Sequence, residues 1–280
     1  MVAARWLATV VGCGVLGAAL GAGAENRPVV LASTTSTENS GLYDAILPLF
    51  EKASGEKVRV VAVGTGQAIR IAEAGDADVL LVHDQASEER FVEQGYGVRR
   101  LDVMANDFVI VGPASDPAKI RGEKDAARAL ATIAATKAPF VSRGDDSGTH
   151  KAELRVWSQS GVDPAEASGR WYREVGNGMG ATLNTAVAMG AYTLSDRGTW
   201  LSFRNRGDHV IVVEGEPRLM NPYSVIAVDS KRHPHVNAKG AQRLIEWLRS
   251  PEGQTAIGEF RLGGERLFIP NAGGSIRPGT

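Results

Sequence analysis

The sequence predicts an α/β protein of two lobes, each a mainly parallel sheet flanked by helices, with two crossings of the chain between them that form a hinge. Three observations predict it. Apolar strand-like segments alternate with amphipathic helical ones from residue 29 to residue 82, the order expected of strands paired in parallel. These strands are apolar without a break, as strands buried on both faces are. Two further apolar segments, 106–112 and 222–228, enclose a second α/β pattern, so one lobe is inserted into the other and the chain passes between them twice. The length of 280 residues, at roughly 150 per domain, agrees with two.

The first strand, 29–32, runs into Ser33-Thr34-Thr35-Ser36-Thr37, after which Leu42, Ala45, Ile46, Leu49 and Phe50 recur at helical spacing. A strand over 58–63 reaches Gly64-Thr65-Gly66, where a helix through Ile69, Ile71 and Ala72 begins, and 77–82 is a third strand. The strand 106–112 is closed by Pro113. The enclosed region holds a helix over 123–136, a strand over 140–142, helices over 147–158 and 182–189, and a strand over 191–194. The strand 222–228 leads back, followed by helices over 238–248 and 251–260. The expected lobes are 25–107 with 224–280, and 108–223.

Lys and Arg total 31 against 32 Asp and Glu, a formal charge of −1, which excludes a polycationic surface for nucleic acid or an anionic membrane. Any anion must be held locally. With 43% hydrophobic and 22% charged residues, the chain has the composition of a folded domain. Residues 6–24 carry no charge, follow Arg5 and end in Ala22-Gly23-Ala24, which reads as a cleaved export signal over 1–24. A retained membrane anchor is the rival reading, because the run is near spanning length. Val10-Val11-Gly12-Cys13 also matches a lipid-attachment pattern, but the apolar run continues past Cys13. Cys13 is the one cysteine, so cleavage after Ala24 leaves no disulfide, thiolate ligand or cysteine nucleophile. Among the five histidines only His233 and His235 stand at a ligand spacing, and His233-Pro234-His235 before a helix reads as an exposed turn; no metal site is expected.

Three stretches place hydroxyls and glycine where a strand hands over to a helix: Ser33 to Thr37, Gly64-Thr65-Gly66-Gln67, and Ser142-Arg143-Gly144-Asp145-Asp146-Ser147-Gly148-Thr149-His150. The first turn of a helix has unpartnered N–H groups and the positive end of the helix dipole, so such a junction favours an anion. Each cluster taken alone reads more readily as an ordinary N-cap, and it is the three together that point to an anion. The third adds Arg143, a permanent cation that donates in a fork, with Asp145 placed to orient it.

Two enzymatic readings compete. Ser147, His150 and Asp145 are the residue types of a hydrolase triad, but GDDSG lacks the GxSxG spacing of a nucleophile elbow. Gly176-Asn177-Gly178-Met179-Gly180-Ala181 matches GxGxxA, with Asp196 beyond it, yet the segment before it is short and mixed, and a glycine turn before a helix is the plainer reading.

Taken together, STTST at 33–37, VGTGQA at 63–68, SRGDDSGTHKAEL at 142–154, WYREVGNGMGATLN at 171–184 and AYTLSDRGTW at 191–200 resemble the periplasmic tungstate-binding proteins of ABC importers, the Tup type. The resemblance covers nearly all of the chain after residue 24. It implies a type II periplasmic binding protein fold whose lobes close on a tetrahedral oxyanion, tungstate or also molybdate, and deliver it to a membrane permease with its cytoplasmic ATPase. It implies a periplasmic receptor and not an enzyme, with no cofactor, and a monomer suits a diffusing carrier. Carried over position by position, the oxyanion contacts fall on Thr34 or Thr35, Thr65, Arg143, Ser147, Gly148 and Thr149. SRxDxSGT alone is shared with phosphate-binding proteins, so a phosphate or sulfate receptor is the alternative, and an exported serine hydrolase a distant one. Protonated phosphate rewards an acceptor in the pocket, for which Asp84 is the candidate; its other reading is a helix N-cap.

Overall fold

The computed structural model describes residues 27–276, so the expected export signal over 1–24 and Cys13 lie outside the described residues. In chain order the elements are β1 (Val29–Thr34), α1 (Thr35–Asn39), α2 (Leu42–Ser54), β2 (Val58–Val63), α3 (Thr65–Glu73), β3 (Val79–Val82), α4 (Gln85–Glu93) and β4 (Gly97–Pro113). There follow α5 (Ala126–Thr136), β5 (Phe140–Ser142), α6 (Gly148–Ser160), β6 (Tyr172–Glu174), α7 (Met179–Met189), β7 (Thr193–Asp196), α8 (Arg197–Ser202) and β8 (His209–Val213). The chain returns through β9 (Met220–Val228) to α9 (Ala238–Arg249), α10 (Pro251–Glu259) and the short β10 (Arg261–Leu262), β11 (Glu265–Arg266) and β12 (Ile269–Pro270). No described helix is long and apolar enough to cross a membrane.

The unbroken apolar character of β1 has a direct cause. Val29 and Leu31 face one core with Leu42, Ile46 and Phe50 of α2 and Leu244 and Leu248 of α9. Val30 and Ala32, pointing the other way, pack on Ala68 and Ala72 of α3 and on Phe91 of α4. β1 pairs in parallel with β2 on one side and β3 on the other. The parallel arrangement ends where the crossing strands join: β9 runs antiparallel to β3, and β4 antiparallel to β9, because a strand returning from the second half must run back.

β4 is the element the sequence foretold least well. The expected strand 106–112 is the far end of a strand of 17 residues, beyond the roughly 3–10 of ordinary strands. Gly97 to Asp107 pair with β9, whereas Phe108 to Pro113 pair with β7 and β8, so one strand leaves the first sheet and enters the second without a break. Its early part mixes charged and apolar residues, with Arg99, Arg100 and Asp102 around Leu101, and so lacks the apolar run that marks the far end. The expected strand 191–194 is displaced to Thr193–Asp196, and β6 and β8 are further strands. In the second half Phe108 and Ile110 pack with Leu130 and Ile133 of α5 and Trp157 of α6, while Val109 and Val111 meet Leu183 of α7 and Trp200 of α8.

α6 is fixed from behind by a buried acid. Oε1 of Glu153 accepts the indole N–H of Trp157 at 3.2 Å and the hydroxyl of Tyr172, on β6, at 2.8 Å. Burial pushes the Glu153 carboxyl up to about 7, against the pull of donors from Tyr172, Ser142 and Trp157. Between about pH 4.5 and 7 the folded protein therefore holds a proton that the unfolded chain has released. That contribution to stability is complete below the ordinary carboxylate range and is lost as the pH rises through the folded value. Glu153→Gln keeps both accepted hydrogen bonds without the ionisable proton. Chemical denaturation should find this variant close to the parent at pH 5 and more stable by on the order of 2–3 kcal/mol at pH 8; an unchanged pH profile would count against the assignment.

Candidate anion-binding site

Because β1, β2 and β3 run parallel, their C-terminal ends share one edge of the sheet, and the chain leaves each into α1, α3 or α4. Such an edge is where α/β sheets place ligands. β5 ends likewise at Ser142, before the loop into α6. The structure brings these ends together around a cavity of about 50 Å³. From the first half it is lined by Thr34, Thr35, Ser36, Gly64 and Thr65, and from the second by Arg143, Ser147, Gly148 and Thr149, with Val63 and His83 completing the wall. All seven residues expected from the sequence are there. The volume is far below the roughly 300–1,000 Å³ of drug-sized pockets and holds only a few water-sized atoms.

The lining is rich in donors. α3 and α6 direct their N-termini at the cavity, where first-turn N–H groups lack intrahelical acceptors. Ser147 Oγ accepts the amide of His150 at 3.2 Å as N-cap. Thr34 Oγ1 lies 2.8 Å from Thr37 Oγ1 and 3.1 Å from Ser36 Oγ in a chain of hydroxyls. Thr34, Thr65 and Thr149 are buried, while Thr35 sits exposed at the mouth.

Arg143 is held as the sequence suggested. Its Nη2 and Nε donate to Asp145 Oδ2 at 2.5 and 3.1 Å, and Nη1 has no protein partner among the described residues. Burial alone would raise the Asp145 carboxyl, but hydrogen bonds from Ser147 and Arg143, with the charge of Arg143, hold it below the usual carboxylate range. The loop turns through the left-handed region at Gly144 (φ 60°) and Asp146 (φ 57°). A side chain at Gly144 would also strike Cβ of Glu174 at 2.8 Å, so glycine is required there.

Gly148 brings the two halves into contact. A Cβ at this position would lie 2.8 Å from Cε1 of His83 and 3.2 Å from Oγ1 of Thr65, both on the opposite half. Nearby, Lys151 Nζ reaches across to Asp84 Oδ2 at 3.4 Å. Asp84 stands at the N-cap position of α4, yet its side chain accepts from the hydroxyl of Ser87 at 2.6 Å and makes no bond to the helix backbone. Occupied in this way, it does not line the small cavity, and neither does any other Asp or Glu among the described residues.

His83 is not among the residues the sequence points to, whereas Asp84 beside it is. The available signal was its place directly after β3, on the same edge as Thr34 and Thr65. Its Nδ1 lies 3.1 Å from Asn221 Oδ1, and its ring packs on Tyr223 with centroids 4.8 Å apart. Burial lowers its pKa, partly offset by Asp196, Asn221 and Asp84.

The competing constellations do not assemble. His150 Nδ1 takes the amide of Asp146, Ser147 Oγ takes the backbone of His150, and Asp145 is engaged by Arg143, so no proton relay links the three side chains. Gly178 is the N-cap of α7, and Asp196 caps α8 through Thr199 at 2.8 Å. His235 Nε2 lies 2.9 Å from the carbonyl oxygen of Gly75, tying the 233–235 turn to the start of the 76–78 segment, and no three His, Cys, Asp or Glu among the described residues are placed to hold a metal ion. A larger cavity of about 250 Å³ lies beyond His83, lined by side chains of both signs, including Asp84, Glu89, Arg155 and Arg218. Arg218 is already paired with Asp125 at 2.6 Å, and no helix N-terminus with hydroxyls on both sides converges there. The smaller cavity is the candidate site.

Comparison with known proteins agrees with this geometry. The model of the PBP superfamily domain matches residues 21–252. The chain is 48% identical over 248 residues to a tungstate-binding protein, TupA, of Peptoclostridium acidaminophilum, covering 87% of this chain and 86% of that protein. The solved tungstate-binding protein TupA from Desulfovibrio alaskensis G20 superposes with a TM-score of 0.80 at 45% identity, over 88% of this chain and 99% of that one. The crystal structure of the tungstate ABC transporter from Geobacter sulfurreducens gives a TM-score of 0.76 at 49% identity, over 83% of this chain and 98% of that one.

The contact at Gly148 yields a test. Gly148→Ala forces a methyl group against His83 and Thr65, an overpacking that costs about 1–3 kcal/mol. Calorimetry should show affinity for a small oxyanion reduced roughly tenfold to hundredfold, with the melting temperature of the ligand-free variant little changed. Retention of full affinity would mean that the halves do not meet there when the ligand is bound.

Proposed function

The chain belongs to the PBP superfamily, among the TupA tungstate-binding proteins, and we propose that it captures tungstate in the cavity between its halves and delivers it to the permease of an ABC importer. The observation that carries this reading is a small cavity walled by hydroxyls, helix N-termini and one guanidinium from both halves, with no carboxylate in its lining. An ionised carboxylate would repel an unprotonated dianion and suit protonated phosphate. The donor set therefore favours an unprotonated dianion over phosphate, and the similarity to tungstate-binding proteins points to tungstate, or also molybdate, among such dianions.

Thr34, Thr35, Thr65, Arg143, Ser147, Gly148 and Thr149 supply the contacts. A strongly hydrated dianion enters only where aligned donors replace its water. Hydrogen bonds to a charged group contribute on the order of 1.5–3 kcal/mol each, and nanomolar affinity needs about 12 kcal/mol, so six to eight donors suffice. The donors of the lining are divided between the two halves. The anion thus draws the lobes, 25–107 with 224–280 and 108–223, together about the crossings in β4 and β9, since its oxygens are satisfied from both sides only when they meet. Export through the signal over 1–24 would place this monomeric receptor in the periplasm, where the permease and its cytoplasmic ATPase take the anion onward. The protein binds and releases its ligand unchanged, without catalysis or a cofactor.

Arg143→Ala removes the guanidinium and leaves Asp145 uncompensated beside the anion. Competitive calorimetry should find tungstate affinity reduced at least tenfold to hundredfold, and unchanged in Arg99→Ala, which alters an exposed residue of β4. Equal affinities would remove Arg143 from the site. In a thermal-shift panel tungstate should raise the melting temperature and phosphate and sulfate should not; a shift with phosphate alone would reassign the ligand.

A further inference from the structure

We propose that His83 binds the oxyanion as an imidazolium, so that each anion captured brings about one proton into the protein; this rests on the oxyanion reading of the cavity. The polarity of a buried hydrogen-bond chain sets the starting state. Asn106 Nδ2 donates to the Tyr223 hydroxyl at 3.2 Å, so Asn106 turns Oδ1 to Asn221, whose Nδ2 donates to it at 2.8 Å. Asn221 in turn presents Oδ1 to His83 Nδ1 at 3.1 Å. An amide oxygen only accepts, so Nδ1 carries the hydrogen, and Nε2 is the open position of the neutral ring. Nε2 has no hydrogen-bond partner among the described residues. Protonation there turns a lone pair into a donor without disturbing the bond to Asn221.

The charge around the cavity gives the reason for that proton. Arg143, the cation of the lining, is already neutralised by Asp145 at 2.5 Å. A dianion in the cavity is then not balanced by any formal charge of the lining, and His83 is the titratable group in the wall able to supply one. The groups facing the ring are Asp84 beside it, Asp196 at the end of β7, Arg143 from the loop before α6 and Tyr223 of β9. Asp84 is engaged by Lys151 and Ser87, and Asp196 by Thr199, so neither takes the proton's place as a partner of the ligand. Burial keeps the ring neutral while the cavity lacks its anion.

The test is calorimetry of tungstate binding at pH 8 in two buffers of unlike ionisation enthalpy. At that pH Glu88 and Glu153, both raised to about 7, are largely ionised and contribute little. The expected result is uptake of about one proton per tungstate, with Kd rising about tenfold per pH unit on the alkaline side. His83→Asn keeps an amide donor toward Asn221 but has no group to titrate, and should bind with no proton uptake and a flat pH profile. His83→Gln, a second variant for the case that the first fails to fold, should behave alike. Tungstate binding by the parent without proton uptake, or undiminished uptake in either variant, overturns the imidazolium and leaves the oxyanion reading standing. Failure of tungstate, molybdate, sulfate and phosphate alike to bind would overturn both.

Discussion

An anion small enough for this cavity gives up its water only to donors already aligned, and the lining draws its donors from loops on both halves. The architecture follows from that constraint. Parallel β1, β2 and β3 bring their ends to one edge, each followed by a helix whose first turn points outward with unpartnered amides. The loop from β5 into α6 carries a complementary set on the other half. Gly148 lets the two approach until only a cavity of ion size is left.

Attraction at this site is a matter of direction more than of net charge. Arg143 is paired with Asp145, Lys151 with Asp84, and the whole chain carries a formal charge of only −1. Pairing fixes the Arg143 guanidinium and leaves Nη1 without a protein partner among the described residues, at the expense of part of its long-range pull. The buried acid behind α6 belongs to the same economy. Glu153, raised to about 7 by burial, anchors the helix through Trp157 and Tyr172 without placing a permanent negative charge behind the anion.

The lining of the cavity was more legible than the frame that carries it. Hydroxyls and glycine at three strand-to-helix junctions marked Thr34, Thr65 and Ser147 to Thr149, because the chemistry of an N-terminus is local and its residue types are few. His83 was missed for the opposite reason: its role comes from Asn221 and Gly148, which the sequence places far away and only packing brings near. β4 was half visible. Its apolar end is buried on both faces in the second half, whereas Arg100 and Asp102 in its first part are drawn into a buried network with Glu88 that a search for apolar runs passes over. β6, three residues long with two of them exposed, carries no periodicity to read.

The continuity of β4 has a consequence for inheritance. A lobe that met its neighbour through loops could be exchanged between relatives by recombination, but here Asp107 and Phe108 are neighbours in one unbroken strand and belong to different sheets. Any splice between the halves at this point would cut a ladder in mid-register. Ancestry should therefore treat the two halves as a single heritable unit, with variation in what the protein selects accumulating by point substitution around the cavity.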